Sequence, residues 1–144
     1  MPDAPAAHAM HKVKDIMTAR AVVVRPDTTI DDAIALLLDH HVSGLPVVND
    51  EGALLGVISE VDIIDLVYNA DIESSLVLDY MTRDVAFLDA EASLDDAASI
   101  FCSKSIRRIP IVKDSRLVGI LSRRDLIRFV REIRKPANAA APGL

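Results

Sequence analysis

The chain has 144 residues, of which 51% are hydrophobic, 26% charged and 3% aromatic, so it can bury one compact core or two small ones. Sixteen Lys and Arg against 22 Asp and Glu give 16 − 22 = −6 at pH 7, which argues against a protein dedicated to nucleic acid or anionic membranes. Cys102 is the single cysteine, so no internal disulfide can form and a reducing, cytoplasmic location is expected. No apolar run approaches the roughly 20 residues that cross a bilayer.

An internal repeat with an offset of 64 residues organises the chain. The matching segments are DIMT at 15–18 and DYMT at 79–82, IDDA at 30–33 and LDDA at 94–97, LPVV at 45–48 and IPIV at 109–112, and GVISEVD at 56–62 and GILSRRD at 119–125. The last pair is offset by 63, because Asp50-Glu51-Gly52 becomes Asp114-Ser115. A turn between two apolar runs tolerates such a change of length.

Hydrophobic periodicity predicts the order strand, helix, strand, strand, helix within each repeat. The β-branched run 22–24 predicts a buried strand, and apolar residues at positions i, i+3, i+4, i+7 and i+8 predict helices from Ile30 and Leu94. Segments 45–48 and 54–58 predict two strands around a turn. A second helix is expected after Ser59, with Ile64 and Val67 turned inward.

The fold class expected is therefore α/β of the α+β type, built from two β-α-β-β-α repeats. A unit of about 60 residues buries only about 60% of its unfolded surface, so we expect the repeats to pack sheet to sheet with pseudo-twofold symmetry. The expected boundaries are a disordered tail at 1–11, a first repeat at 12–68, a linker at 69–78, a second repeat at 79–135 and a disordered tail at 136–144.

Several polar residues have structural interpretations. Asp31-Asp32 and Asp95-Asp96 fall in the first turns of predicted helices, where acidic residues favour the helix dipole rather than acid–base or metal chemistry. Cys102 takes the position of Leu38 and is expected to fill the core. His40 and His41 lack the neighbours of a metal site and are expected at the surface. No catalytic motif is recognisable, and we expect no enzymatic activity.

The duplicated motifs resemble those of the cystathionine-β-synthase (CBS) domain family. The resemblance covers roughly residues 12–133 and consists of the Met-Thr start, the apolar-Pro-apolar strand and Gly-apolar-apolar-Ser-x-x-Asp at the last helix. It implies a stand-alone regulatory, energy-sensing module in which two clefts bind AMP, ADP, ATP, NAD or S-adenosylmethionine. It also implies a homodimer, no required cofactor and no metal.

The family's ribose-binding aspartate falls on Asp62 and Asp125, and each cleft takes its Met-Thr segment from one repeat and its helix start from the other. The resemblance implies a nucleotide-binding cleft that contains Thr18, Ala21, Val22, Arg107, Arg108, Ile109, Pro110, Ser122, Arg123, Arg124 and Asp125. A second, weaker cleft would contain Ser43, Leu45, Pro46, Ser59, Asp62, Thr82, Val85 and Ala86.

The residue types support this assignment on chemical grounds. Backbone N–H groups at a helix start suit a phosphate, and a carboxylate there can accept both hydrogen bonds of a ribose diol. Arginine donates paired hydrogen bonds to phosphate. Arg123 and Arg124 directly precede Asp125, and Arg107 and Arg108 precede Ile109-Pro110, whereas Glu60, Val61, Ser43 and Gly44 occupy the matching positions. We therefore expect a phosphorylated nucleotide at Asp125, and an empty site or a less charged adenosyl group at Asp62.

Three alternatives stay open at this point. Ser59-x-x-Asp62 and Ser122-x-x-Asp125 also match capping boxes, and capping and binding are compatible. The stripe Arg124, Arg128, Arg131 and Lys135 is either a solvated or dimer-facing surface or a surface for nucleic acid or another anionic partner. The module could also be a structural or protein-interaction adaptor with unoccupied clefts and an unknown protein partner.

Overall fold

The computed structural model describes residues 11–66, 68 and 72–139. Its elements in chain order are α1 (Val13–Ile16), α2 (Ile30–His40), β1 (Gly44–Val48), β2 (Leu54–Ser59), α3 (Glu60–Ile64), a 3-10 helix (Ile72–Ser74), α4 (Val77–Tyr80), β3 (Leu88–Asp89), α5 (Leu94–Ser103), β4 (Arg108–Lys113), β5 (Arg116–Ser122) and α6 (Arg123–Ala139). This mixture of helices and small sheets confirms the α+β class. Within the described part of the chain, no helix is long and apolar enough to span a bilayer.

The structure describes only part of the predicted tails and linker, and some of its helical residues fall inside them. Residues 1–10 and 140–144 lie outside the described residues. Helix α6 continues to Ala139, so it extends four residues into the segment that the sequence assigned to a tail. The 3-10 helix and the first residues of α4 fall inside the predicted linker 69–78.

The described residues divide into two units. The first-repeat unit contains residues 21–66, 68, 72–85 and 114–117, and the second-repeat unit contains residues 11–20, 86–113 and 118–139. This division does not follow the repeats in the sequence. The segments 13–18 and 77–82, hereafter the Met-Thr segments, each belong to the unit built mainly from the other repeat.

A three-stranded sheet of order β3-β4-β5 lies mainly in the second-repeat unit; residues 116 and 117 at the start of β5 are assigned to the first-repeat unit. Strand β3 pairs with β4 in parallel. Asp114 and Ser115 follow β4 with φ of 52° and 69°, as a two-residue primed turn requires. The core under this sheet includes Val13, Leu94, Ile109, Ile111, Leu121 and Phe129.

An antiparallel pair, β1 and β2, forms the sheet of the first-repeat unit. The predicted buried strand at 22–24 is reduced to one parallel bridge between Val24 and Val47, and Val23 is 38% exposed. The five-residue connection between β1 and β2, residues 49–53, includes Gly52 at φ 84°. The core here includes Val24, Ile30, Leu37, Leu45, Ile58 and Val77.

Helices α2 and α5 start in the same way. The hydroxyls of Thr29 and Ser93 each accept a hydrogen bond of 3.1 Å, from the backbone N–H of Asp32 and Asp96 respectively. Such caps satisfy N–H groups that have no partner inside the helix. The adjacent acidic pairs lie in the first turns of these helices, as the sequence predicted.

The prediction of core positions was wrong at three residues. Cys102 is exposed, Leu38 is 68% exposed and Ile64 is 65% exposed. In α2 and α5 the buried stripe stops at i+7, and the i+8 position lies about 80° around the helix from the start of that stripe. In α3 the short helix turns Ile64 outward, and Leu66 in the following turn is buried instead. Val67 lies outside the described residues.

The Met-Thr segments dock through matching backbone hydrogen bonds. Val13 N–H donates to the Ala92 carbonyl at 2.9 Å, and Val77 N–H donates to the Thr28 carbonyl at 2.8 Å. These two bonds are related by the repeat offset, because 13 + 64 = 77 and 28 + 64 = 92. Each Met-Thr segment therefore completes the core of the unit that contains it.

Two glycines allow these segments to reach the sheets. A Cβ at Gly56 would lie 2.4 Å from the carbonyl oxygen of Thr82, and a Cβ at Gly119 would lie 2.8 Å from that of Thr18. Backbone cannot move aside as a side chain can. The glycine that opens each Gly-apolar-apolar-Ser-x-x-Asp motif is thus required by close approach of the Met-Thr segment.

Replacing Gly56 with alanine should destabilise the first-repeat unit, because the added carbon overlaps the Thr82 carbonyl. We expect the free energy of unfolding, measured by chemical denaturation, to fall by about 1–3 kcal/mol, the usual range for overpacking. Gly44→Ala is the matched control, since a Cβ there meets its nearest neighbours at 3.4 Å or more. Equal losses for the two variants would contradict this explanation.

Glu91 anchors the Met-Thr segment in the second-repeat unit. Its carboxylate accepts hydrogen bonds from Lys12 Nζ at 2.6 Å and Lys14 Nζ at 2.7 Å. Both bonds lower the pKa of Glu91 from 4.5 to about 2. A carboxyl whose pKa falls on folding adds stability above its unfolded pKa and loses it as the pH drops through the folded value.

We therefore expect the melting temperature of the wild-type chain to fall between pH 4.5 and about 2 partly through loss of this contact. The variant Glu91→Gln should lack the pH-dependent stabilisation by this contact. Its melting temperature should therefore converge with that of the wild type near pH 2. The side chain is exposed, so the effect should be small and weakened by salt. Glu51→Gln, in the exposed turn after β1, is the control; an identical pH profile for both variants would refute the contact.

Candidate functional site

Asp125 is a buried carboxylate at the start of α6, with a side chain that is only 8% exposed. Its Oδ2 accepts a hydrogen bond from the backbone N–H of Ser122 at 2.8 Å. In return, the Ser122 hydroxyl accepts from the backbone N–H of Asp125 at 3.1 Å. Arg128 Nη1 donates to Oδ1 of Asp125 at 3.1 Å. Hydrogen bonds to both oxygens therefore fix the orientation of this carboxylate.

Asp62 occupies the equivalent position in the first-repeat unit, at the start of α3. The backbone N–H and the hydroxyl of Ser59 donate to its Oδ2 at 2.9 and 3.0 Å. The hydroxyl of Thr82 donates to its Oδ1 at 3.1 Å. The capping box expected at both aspartates is therefore present, and at Asp62 a Met-Thr segment also contacts the carboxylate directly.

The two threonines of the Met-Thr segments lie along the last strand of their units. Thr82 exchanges backbone hydrogen bonds of 2.8 and 2.9 Å with Val57, and Thr18 exchanges bonds of 2.8 and 2.9 Å with Ile120. Both strands lead directly into the helices that carry Asp62 and Asp125. The structure thus brings Thr82 together with Ser59 and Asp62, and places Thr18 in the unit of Ser122 and Asp125.

The segments before the Pro-containing strands reach the same helix starts through the backbone. The carbonyl of Arg107 accepts from the N–H of Arg123 at 3.1 Å, and the carbonyl of Ser43 accepts from the N–H of Glu60 at 2.9 Å. The strand residues that follow are buried in both units, so their side chains belong to the core. These residues are Leu45, Pro46, Ile109 and Pro110.

Three of the residues expected in the clefts fall in the opposite unit from their aspartate. Ala21 and Val22 belong to the first-repeat unit, whereas Asp125 belongs to the second. Ala86 belongs to the second-repeat unit, whereas Asp62 and Val85 belong to the first. Their assignment to a shared ligand contact stays a prediction.

The two helix starts differ strongly in charge. Residues 123–128 contain three arginines and one aspartate, 3 − 1 = +2, whereas residues 60–65 contain three acids and no base, 0 − 3 = −3. Arg123 and Arg124 are expected in the site from the sequence, whereas Arg128 is expected only in the surface stripe. The signal was present, because Arg128 follows Asp125 by three residues, a spacing at which helical side chains meet. Asp65 holds the matching position after Asp62.

The two carboxylates also differ in the capacity to accept further hydrogen bonds. A carboxylate offers about four acceptor positions. Asp62 has three described donors, from Ser59 and Thr82, whereas Asp125 has two, from Ser122 and Arg128. A diol that donates two hydrogen bonds would therefore find room on Asp125, but would compete with Thr82 on Asp62.

A metal-binding cluster in the described part of the chain would require several His, Cys, Asp or Glu side chains close together. No group of three or more His, Cys, Asp or Glu side chains there is arranged to hold a metal ion. The acidic pairs that begin α2 and α5 lie at helix starts, where their backbone N–H groups are capped. The carboxylate–arginine pair at Asp125 and the carboxylate–threonine pair at Asp62 are suited to hydrogen bonding and charge recognition.

Known proteins match this chain over most of its length. The chain is 35% identical over 118 residues to a protein of Methanocaldococcus jannaschii, covering 82% of this chain and 42% of that relative. It is 35% identical to a 17.7 kDa protein of Acidianus ambivalens, covering 85% and 74% of the two chains. It is 31% identical to the chloroplastic CBS domain-containing protein CBSX2 of Arabidopsis thaliana, covering 91% and 68%. The chain thus spans less than half of the first of these relatives.

Solved structures show the same fold. CBSX2 in complex with AMP matches with a TM-score of 0.79 and 35% identity, covering 86% of this chain and 98% of that one. The CBS domain pair of protein MJ0100, in complex with 5-methylthioadenosine and S-adenosyl-L-methionine, matches with a TM-score of 0.73 and 27% identity, covering 85% and 98%. The family model for the CBS domain matches twice, at residues 13–69 and 77–132. The chain belongs to the CBS domain family and carries two CBS domains in tandem.

Proposed function

We propose that this protein is a non-catalytic regulatory module that senses an adenosine-containing nucleotide through its two aspartates. The observation that carries the proposal is the buried carboxylate of Asp125, fixed by Ser122 and Arg128 with acceptor positions remaining. The ligands of similar structures support it, since AMP is bound to CBSX2 and S-adenosyl-L-methionine and 5-methylthioadenosine to another CBS pair. All three ligands contain an adenosine ribose.

The charge of each helix start suggests which ligand each site prefers. At Asp125 the surrounding arginines favour a ligand that carries phosphate, such as AMP, ADP, ATP or NAD. At Asp62 the nearby Glu60 and Asp65 repel phosphate, so a neutral or cationic adenosyl compound such as S-adenosylmethionine fits better. The predicted cleft residues, Ala21 and Val22 for the first cleft and Val85 and Ala86 for the second, complete this proposal.

Regulation requires that the ligand bind two states of the protein unequally. In the first-repeat unit, a ribose that donates to Asp62 displaces the hydroxyl of Thr82. One hydrogen bond between α3 and the Met-Thr segment at 77–82 is thereby lost. Ligand at this site therefore changes how firmly that segment is held. We propose that a homodimer or a protein partner detects this change, in a cytoplasmic setting consistent with the lone cysteine.

The first test is titration calorimetry and thermal unfolding with AMP, ADP, ATP, NAD and S-adenosylmethionine, with guanosine nucleotides as controls. We expect selective stabilisation by adenosine compounds. Asp125→Asn, which keeps an oxygen to accept from Ser122, should weaken AMP binding by about 10- to 100-fold, since a hydrogen bond to a charged group contributes about 1.5–3 kcal/mol.

Asp62→Asn is the matched variant and should leave AMP binding at the other site unchanged. Full AMP affinity in Asp125→Asn, with the fold retained, would refute the site. A wild-type chain that no adenosine compound stabilises would refute sensing and favour the adaptor with unoccupied clefts.

Charge selection is tested separately by exchanging the matched residues Arg128 and Asp65. In an Asp62→Asn background, Arg128→Asp should lower the affinity for AMP relative to adenosine by about tenfold or more, because a phosphate contact becomes a repulsion. In an Asp125→Asn background, Asp65→Arg should raise the same ratio. Arg128→Gln retains a donor without the charge and serves where Arg128→Asp lowers stability. A ratio that stays constant across these variants would contradict selection by charge.

A further inference from the structure

The two carboxylate oxygens of Asp62 are unequally occupied. Its Oδ2 accepts hydrogen bonds from the backbone N–H and the hydroxyl of Ser59 at 2.9 and 3.0 Å, and its Oδ1 accepts one from the hydroxyl of Thr82 at 3.1 Å. A carboxylate has about four acceptor positions, two on each oxygen. The described donors therefore fill Oδ2 and leave one position on Oδ1, beside the bond from Thr82.

The described donors are distributed differently at Asp125. Its Oδ2 accepts one hydrogen bond from the backbone N–H of Ser122, and its Oδ1 accepts one from Arg128. One position is left on each oxygen, which matches the two hydroxyls of a ribose. Asp65 occupies the position after Asp62 that Arg128 has after Asp125, and an ionised carboxylate has no hydrogen to donate.

The hydroxyl of Thr82 is an effective internal competitor because its backbone is fixed. Thr82 exchanges backbone hydrogen bonds of 2.8 and 2.9 Å with Val57 of β2, so little conformational entropy is lost when its hydroxyl bonds to Asp62. The residue is exposed, so a displaced hydroxyl can bond to water instead. A ligand can therefore displace Thr82, but only at the loss of a hydrogen bond to a charged group.

We propose that Thr82 sets the sugar specificity of the site at Asp62, which accepts adenosyl compounds with one free sugar hydroxyl as well as those with a diol. This inference rests on the proposed function and names the class of ligand for one of its sites. A single hydroxyl takes the open position on Oδ1 and leaves Thr82 in place. The second hydroxyl of a ribose gains a bond only by displacing that of Thr82, so its net contribution is small.

The number of sugar hydroxyls then decides whether the Met-Thr segment at 77–82 responds to the ligand. A ribose releases Thr82 from Asp62, whereas a deoxyribose occupies the site with that hydrogen bond intact. Two ligands of similar affinity thus leave the first-repeat unit in different states, and only the ribosyl ligand produces the change that regulation requires.

The test compares adenosine with 2′-deoxyadenosine and 3′-deoxyadenosine by titration calorimetry, since none of the three carries phosphate. Asp125→Asn isolates the site at Asp62, and Asp62→Asn isolates the site at Asp125. At Asp62, one of the two deoxyadenosines should bind within about threefold of adenosine, because the bond lost to Thr82 offsets the bond gained. At Asp125, both should bind about tenfold or more weakly than adenosine.

Two variants of Thr82, each combined with Asp125→Asn, assign this behaviour to its hydroxyl. Thr82→Val removes the hydroxyl at similar volume and should produce about tenfold discrimination against both deoxyadenosines. Thr82→Ser keeps a hydroxyl and should bind like the chain with threonine. Thermal unfolding checks that each variant is folded. Discrimination of tenfold or more against both compounds with threonine in place would overturn the inference, while sensing at Asp62 would stand.

Hydrogen exchange of the Thr82 amide reports the state of the segment independently of affinity. This N–H donates to the Val57 carbonyl at 2.8 Å and should exchange faster with saturating adenosine than with the better-binding deoxyadenosine, because loss of the hydroxyl bond loosens the segment. Equal protection with both ligands would refute the release of Thr82. If adenosine binds neither the Asp125→Asn chain nor the same chain with Thr82→Val, sensing at Asp62 fails and the sugar specificity fails with it.

Discussion

The close approach of backbone to backbone at Gly56 and Gly119 is the constraint on which the rest of the structure depends. Because neither glycine has a Cβ, the carbonyls of Thr82 and Thr18 can lie against the last strand of each unit. That approach brings α1 and α4 onto cores built mainly from the other repeat, where Val13 and Val77 are fully buried. Close approach also puts the hydroxyl of Thr82 within reach of Asp62.

Duplication of one motif has produced two carboxylates with the same backbone setting and different surroundings. Both aspartates accept the N–H of a serine that ends a strand, in a capping box that fixes the start of a helix. Beyond that shared frame, an arginine one helical turn later holds Asp125, whereas a threonine hydroxyl holds Asp62. The side chain that donates to the second carboxylate oxygen thus differs between the two aspartates.

Much of the fold could be predicted because each hydrophobic and turn pattern occurs in both repeats. The positions of α2, α5 and the two hairpins follow from hydrophobic spacing and turn residues, and the acidic pairs mark the helix starts. Cys102, Leu38 and Ile64 were misplaced because periodicity shows which residues can share a face, but not how wide the covered stripe is. Arg128 was missed as a partner of Asp125 because it was counted only in a surface stripe. Its spacing of three residues from Asp125 permits the contact, but does not show that the side chain turns back toward the carboxylate.

The exchange of Met-Thr segments has a consequence for how the chain is made. Lys12 meets Glu91 across a sequence separation of 79 residues, so the Met-Thr segment at 13–18 has to wait for synthesis of the second repeat before its core position exists. The first repeat likewise stays incomplete until residue 82 has emerged. Contacts of such long range slow folding, and neither unit can complete its core before a segment from the other repeat has been made.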